Sequence, residues 1–298
     1  MKKAILFLFT ITLSILLAAC SNGDKGDDSD KNLESVDKDK IKVVTSFSMI
    51  EDIVKEIGGE HVEVENLVPT GTDPHDYDPK PDDVKHISSA DLVFYNGLNL
   101  EGGSQGWLFK ALDASDFPRK NAIKTSDGIK PKYIKDEDGN KEINPHAFID
   151  PNVGEQMVRN ITESLSERNP KNKDYYKKNE KEYLNNLHNI EDDYKKQLGD
   201  IPKKDRVFVA SEQAFQYLAD SYDLKEGYIW AIDTDENGSP EQIKSLVKFI
   251  DKNKPASLFV ESNVDKRPME TVSKESGVSI YKKPIYSDEI SKKGGVAD

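Results

Sequence analysis

The chain has 298 residues, with 42 Lys+Arg against 55 Asp+Glu and a formal net charge of −13. So acidic a chain is a poor ligand for nucleic acid and is repelled by anionic lipid surfaces, which excludes both as primary targets. Its one cysteine excludes an intrachain disulfide and any zinc site built on several cysteines.

Lys2 and Lys3 precede an almost wholly apolar run over residues 4–17, which ends in Leu17-Ala18-Ala19-Cys20. A positive start, a short apolar stretch and small residues before a cut make a secretory signal over residues 1–19. The run is short for a membrane span. Its ending resembles the bacterial lipobox, which implies cleavage before Cys20 and a lipid on its thiol. The mature protein is then expected to be anchored to the outer face of the cell membrane rather than to span it. Residues 20–40 are rich in Asp, Lys, Ser and Gly, cannot bury a core, and are expected to form a flexible tether.

About 260 residues remain, enough for two modest domains. Residues 41–47 read as a strand. Met49, Ile50, Ile53, Val54 and Ile57 then recur at helical spacing up to Gly58-Gly59. Residues 62–68 read as a second strand, 71–81 as a polar loop with three prolines, and 82–90 as a short helix. Asp91-Leu92-Val93-Phe94-Tyr95 is the near-continuous apolar run of a parallel strand buried on both faces. Strand, helix, strand in this order is the βαβ pattern of an α/β domain.

The same logic returns later. Arg206-Val207-Phe208-Val209-Ala210-Ser211 resembles Val43-Val44-Thr45-Ser46, residues 214–222 are helix-like, and Ser239-Pro240-Glu241 opens a further helix. Residues 256–263 echo residues 90–97, which argues for two similar lobes. Between them, residues 171–199 carry no proline or glycine until Gly199, with Tyr175, Tyr176, Tyr183, Leu184, Leu187, Ile190 and Tyr194 at helical spacing. A helix of about 28 residues, near 42 Å long, is expected here, and its polarity marks it as a strut between lobes. The predicted fold is α/β: a lobe over 41–170, a single long rigid helix over 171–199, and a second lobe over 200–298, both with parallel sheets.

Of the five histidines, His61, His86 and His188 sit in polar surroundings with no partner at a persuasive spacing and read as surface residues. No His-Glu-x-x-His pair occurs, which excludes a zincin protease by pattern. His75 follows Thr72-Asp73-Pro74 in a loop after a strand, where an α/β fold places its ligands. Asp76 and Asp78 are candidates to orient it. His146 follows Asn144-Pro145 and precedes the helix opened by Asp150-Pro151. Glu212 follows an apolar strand, where helix capping alone also explains a carboxylate. Asp288 lies in a polar loop, where a helix cap is the plainer reading. Two imidazoles and two carboxylates together suit a divalent transition ion, but spacing along the chain does not show that they meet.

Val68-Pro69-Thr70-Gly71-Thr72-Asp73-Pro74-His75, residues 90–97, Asn144-Pro145-His146, Ala210-Ser211-Glu212-Gln213-Ala214-Phe215, Tyr228-Ile229-Trp230, residues 239–243, and residues 258–262 with Arg267-Pro268-Met269 occur in this order. In them the chain resembles the metal-binding solute-binding lipoproteins of ABC importers, the cluster A-I group, and its manganese-type members in Gram-positive bacteria. The resemblance implies that His75, His146, Glu212 and Asp288 are metal ligands between two lobes. It implies capture of a divalent ion outside the cell and delivery to an ABC permease served by a separate ATPase subunit. Zinc-type members carry a third histidine at the Glu212 position and often a His-rich loop. This chain has neither, so Mn(II) is expected, with zinc-specific or iron capture by the same route as the alternative. Zn(II) should still bind as well or better in vitro.

An adhesin role is a further alternative. A metallohydrolase needs an open coordination position and a base, which four protein ligands leave no room for, so no enzymatic activity is expected. A monomer is expected. Members of the group usually continue past the last ligand into a terminal helix, whereas this sequence stops at Asp298, so a truncated C-terminal lobe is an expectation as well.

Overall fold

The computed structural model describes residues 40–135, 139–232 and 238–290. The expected signal, Cys20, the tether and residues 291–298 lie outside the described residues. Among the described residues, no helix is long and apolar enough to cross a membrane.

The chain opens with strand β1 (Ile41–Thr45), helix α1 (Ser48–Gly58), strand β2 (Val62–Asn66), helix α2 (Pro81–Ser89) and strand β3 (Leu92–Tyr95). Helix α3 (Trp107–Ala114) and strand β4 (Ala122–Lys124) follow. All four strands are parallel, in the order β2-β1-β3-β4. The strand order reverses direction between β1 and β3, and in such sheets ligands gather beyond the carboxyl ends of the strands at that point. The apolar stripe read in α1 is the face it buries, with Ile50, Val54 and Ile57 at 0% exposure against the sheet.

Strands β5 (Lys132–Lys135) and β6 (Lys141–Asn144) form an antiparallel pair that sequence reasoning missed. Their alternating, charged residues carry little apolar signal. The pair bridges the two halves of the fold: Ile134 packs with Ala231 and Ile232, and the Lys132 N–H donates to Tyr217 Oη at 2.7 Å. Helix α4 (Pro151–Arg168) starts at Asp150, whose side chain accepts from the Asn152 N–H.

The long helix is present as α5 (Lys173–Gly199), 27 residues and roughly 40 Å at 1.5 Å per residue. It is not a strut over its full length. Its first half is packed on the first lobe, with Tyr176 and Leu184 buried, Tyr183 Oη donating to Asp52 Oδ2 at 3.0 Å and Asn179 Nδ2 to Ile57 O at 3.1 Å. Its far end is exposed and reaches the second lobe through an edge-on contact of Tyr194 with Tyr222.

The second lobe begins with strand β7 (Val207–Val209), helix α6 (Gln216–Ser221) and strand β8 (Lys225–Gly227), then helices α7 (Pro240–Asn253) and α8 (Arg267–Ser276). The helix expected over 214–222 divides into a 3-10 turn, Gln213–Phe215, and α6. The strand expected over 256–263 is reduced to single parallel bridges, Leu258 with Ile280 and Glu261 with Ile285. β8 pairs parallel with β7, and the Phe259 N–H reaches Val209 O on the other side at 2.8 Å. The resulting order, β8, β7, 258–261, 280–285, repeats that of β2, β1, β3, β4. The main apolar cores are likewise separate, one drawn from Ile41 to Leu184 and one from Val209 to Val272.

Glu226 accepts from the Phe215 N–H at 2.9 Å, and burial pushes its carboxyl up to about 8. The fold thus favours the protonated form. That contribution is complete below the unfolded value, about 4.3, and is lost as pH rises through about 8. In thermal melts of the metal-free protein across pH 5–9, wild type should lose stability relative to Glu226→Gln as pH rises. Parallel curves would refute this.

Candidate metal centre

The four residues singled out from sequence come from four separated segments and meet in one place. His75 lies on the long loop after β2. His146 lies in the 3-10 turn His146–Ile149 between β6 and α4. Glu212 precedes the turn after β7, and Asp288 lies beyond the 280–285 segment. His75 Nε2 is 3.2 Å from His146 Nε2. Asp288 Oδ1 is 3.0 Å from His146 Nε2 and 3.6 Å from His75 Nε2, and Glu212 Oε1 is 3.6 Å from His146 Nε2. Ligand atoms of His75, His146 and Glu212 all lie within 4.8 Å of one another. Exposures are 7%, 0%, 0% and 2% in chain order.

The two shortest separations, 3.0 and 3.2 Å, are those of ligands sharing an ion. Donors about 2.1 Å from one centre, at angles between square and tetrahedral, stand ~3.0 to ~3.4 Å apart. Asp288 Oδ1 accepts no conventional hydrogen bond, although it is buried and faces two imidazole nitrogens. Its other oxygen, Oδ2, is held by Ser287 Oγ and, at 3.5 Å, by Asn263 Nδ2.

The His146 ring is fixed by Asn144, two residues before it in Asn144-Pro145-His146. Asn144 Oδ1 accepts from the His146 N–H at 3.0 Å and meets Nδ1 at 2.9 Å. Asn144 Nδ2 donates to Gln213 O at 2.9 Å and Gln216 Oε1 at 3.2 Å. A backbone N–H only donates and a backbone C=O only accepts, so these two groups set the amide's orientation. Nδ1 of His146 must then carry the proton, which presents the lone pair of Nε2 to the centre. Asn96 steadies the same turn through Pro145 O at 3.0 Å.

Charge states match that role. Burial holds the His146 imidazole below its usual range, in the neutral form that ligates. Burial works to raise the Asp288 carboxyl, but the two imidazoles outweigh it and keep it well below the usual carboxylate range. The centre therefore offers the neutral His146 nitrogen beside an ionised Asp288 carboxylate near neutral pH.

Two buried carboxylates frame the site without entering it. Glu101 accepts from Ser46 Oγ at 2.8 Å and from the Asn96 and Gly97 N–H groups at 2.7 and 3.0 Å, tying the ends of β1 and β3. Glu261 accepts from the Ser211 and Glu212 N–H groups at 3.0 and 2.9 Å, and burial raises it to about 7. A glutamate far along the chain that fixes the backbone of Glu212 leaves no periodic signal.

Asp76 and Asp78 are exposed, and it is Asp73 Oδ1 that accepts from the His75 N–H, at 2.7 Å. His61 is half-buried, its ring edge-on to Tyr175 of α5 at 4.7 Å. His86 and His188 are exposed, but each has a carboxylate from another element: Glu65 at 3.6 Å and Glu155 at 2.7 Å. Those partners are remote in sequence, which is why spacing did not show them.

Two α/β lobes meeting over a buried cluster of ligand-type nitrogens and oxygens make a two-lobed binding protein. The profile of the family described as zinc-uptake complex component A, periplasmic (ZnuA), matches residues 43–298. The chain is 40% identical over 299 residues to the manganese ABC transporter substrate-binding lipoprotein PsaA of Streptococcus pneumoniae serotype 4, covering 100% of this chain and 94% of that one. It is 39% identical over 298 residues to the iron ABC transporter substrate-binding lipoprotein MtsA of Streptococcus pyogenes serotype M1, covering 100% and 93%. A Mn-bound mutant of the periplasmic metal binding protein from Candidatus Liberibacter asiaticus superimposes with a TM-score of 0.77 at 30% identity, over 87% of this chain and 93% of that one. The chain belongs to the ZnuA family of metal-uptake binding proteins, whose members here are substrate-binding components and not enzymes.

Proposed function

We propose that this protein captures a divalent transition ion, Mn(II), outside the cell and hands it to an ABC permease with its own ATPase subunit. His75, His146, Glu212 and Asp288 act as the ligands. The observation that carries this reading is the convergence of two imidazole Nε2 atoms and a carboxylate oxygen to within 3.0–3.6 Å of one another, nearly closed to solvent. The names of relatives point to manganese in one case and iron in another. Two carboxylates beside two imidazoles favour a harder ion than a nitrogen-rich set does, which supports Mn(II) here. The N-terminal sequence supports a lipid on Cys20 and residence on the outer face of the membrane, with a monomer as the working unit. The two separate cores support two lobes, over 41–170 and 200–298, with the helix over 171–199 between them adding Tyr176 and Leu184 to the first core.

The test is the melting temperature of the full chain, purified in detergent, stripped of metal and titrated with Mn(II) and then Zn(II). Wild type should be stabilised by each ion in proportion to its binding, and Glu212→Ala should lose most of that gain. No stabilisation by either ion in wild type would sink the capture reading. A rise with Zn(II) alone would replace manganese with zinc.

A further inference from the structure

The segment just after Asp288 ties the two lobes together next to the centre. Glu289 follows a candidate ligand, is 7% exposed, and spans both sides with one carboxylate. Its Oε2 accepts from the Gly71 N–H, on the first lobe's loop four residues before His75, and its Oε1 accepts from Ser262 Oγ of the second lobe at 2.6 Å. One residue on, the Ile290 N–H donates to Ser48 Oγ, in the first turn of α1, at 3.1 Å.

The geometry at Gly71 suits this tie. The turn Pro69-Thr70-Gly71-Thr72 is closed by the Thr72 N–H on Pro69 O at 3.0 Å, with Gly71 at φ 87°, a conformation side chains disfavour. The Gly71 N–H is thereby turned toward Glu289 rather than into its own loop. The same loop then carries Asp73 and His75. Pulling the lobes apart would break the Gly71–Glu289 bond together with the approach of Asp288 to His75.

We propose that Glu289 is a positioning residue that slows ion release by tying the His75 loop to the segment carrying Asp288. This rests on the metal-capture reading above. Both Glu289 carboxylate oxygens are engaged away from the candidate ligands, by Gly71 and Ser262. Glu289 acts through the two segments it joins, so its loss should speed opening while leaving the ligand set intact.

The experiment is release of Mn(II) from the full chain in detergent, followed by stopped flow after mixing with excess chelator. Glu289→Ala should release Mn(II) roughly tenfold or more faster than wild type, the fold-change of one charge-assisted hydrogen bond. Glu289→Gln should stay within about threefold, because its amide oxygen still accepts from Gly71 and its NH₂ donates to Ser262 Oγ. Ser262→Ala, which leaves the Gly71 bond, should fall between them. Equal rates for wild type and Glu289→Ala overturn the proposal. If Glu289→Gln releases as fast as Glu289→Ala, the negative charge near the ion matters and the tie does not, and the proposal fails. If Glu289→Ala does not fold, an unchanged rate in Ser262→Ala overturns it and a faster one supports it. If wild type binds neither Mn(II) nor Zn(II), the capture reading falls and takes this with it; if it binds Zn(II) alone, the same release rates are read with Zn(II); and a binding wild type with unaltered variants removes the tie alone.

Discussion

Replacing His146 with alanine should abolish metal-dependent stabilisation. Of the four residues, His146 reaches all the others: its Nε2 lies 3.2 Å from His75, 3.0 Å from Asp288 and 3.6 Å from Glu212. No other side chain can take its place, since its ring is 0% exposed and its orientation is fixed by Asn144. At an ion concentration about a thousandfold above Kd, binding linkage stabilises wild type by roughly 4 kcal/mol. For a protein of this size that is a rise of roughly 8–16 °C in Tm. His146→Ala should show almost none of it. His188→Ala should keep all of it, because His188 is exposed and pairs with Glu155 on the surface. A calorimetric scan of the three proteins with and without Mn(II) decides the matter, and retention of the full rise in His146→Ala would remove the residue from the site.

The second large effect is expected at Asn144. Asn144→Ala removes the acceptor that holds the His146 Nδ1 proton and both donors into the second lobe. Loss of such a supporting partner typically weakens metal binding by about 10- to 100-fold. Asn144→Asp separates the two roles. Its carboxylate still accepts from Nδ1 but cannot donate to Gln213 O or Gln216 Oε1, and it stabilises the imidazolium form. Protons compete with metal for Nε2, so binding is lost as pH falls. In wild type, burial keeps His146 neutral to below its usual range, so Mn(II) should be retained below the ordinary imidazole pKa of about 6.5. In Asn144→Asp that loss should move to higher pH. Competitive titrations from pH 5 to 8 would show it, and an Asn144→Ala protein with wild-type affinity at every pH would end the positioning argument.

These residues also mark how far the sequence could be read. Helical spacing from Met49 to Ile57 gave the buried face of α1, the apolar run at 91–95 gave β3, and the absence of breakers gave α5, because each depends on neighbours a few residues away. Local period failed where pairing is sparse or charged. The β5–β6 pair has no apolar stripe, and the segment at 256–263 keeps only single bridges. His75, His146, Glu212 and Asp288 were legible as residue types in a fixed order, and the family resemblance turned them into a ligand set.

The sequence by itself determined the α/β alternation, the long helix, the excess of acid and the four candidate donors. Only the tertiary structure decided that those donors meet, that Asn144 fixes His146 while gripping the other lobe, that Glu261 holds the backbone of Glu212, and that Glu289 joins Gly71 to Ser262. The physical reason is range. Periodicity reports which face of one element leaves water, whereas bonds such as Glu212 with Glu261, 49 positions apart, and Gly71 with Glu289, 218 apart, leave no trace in it.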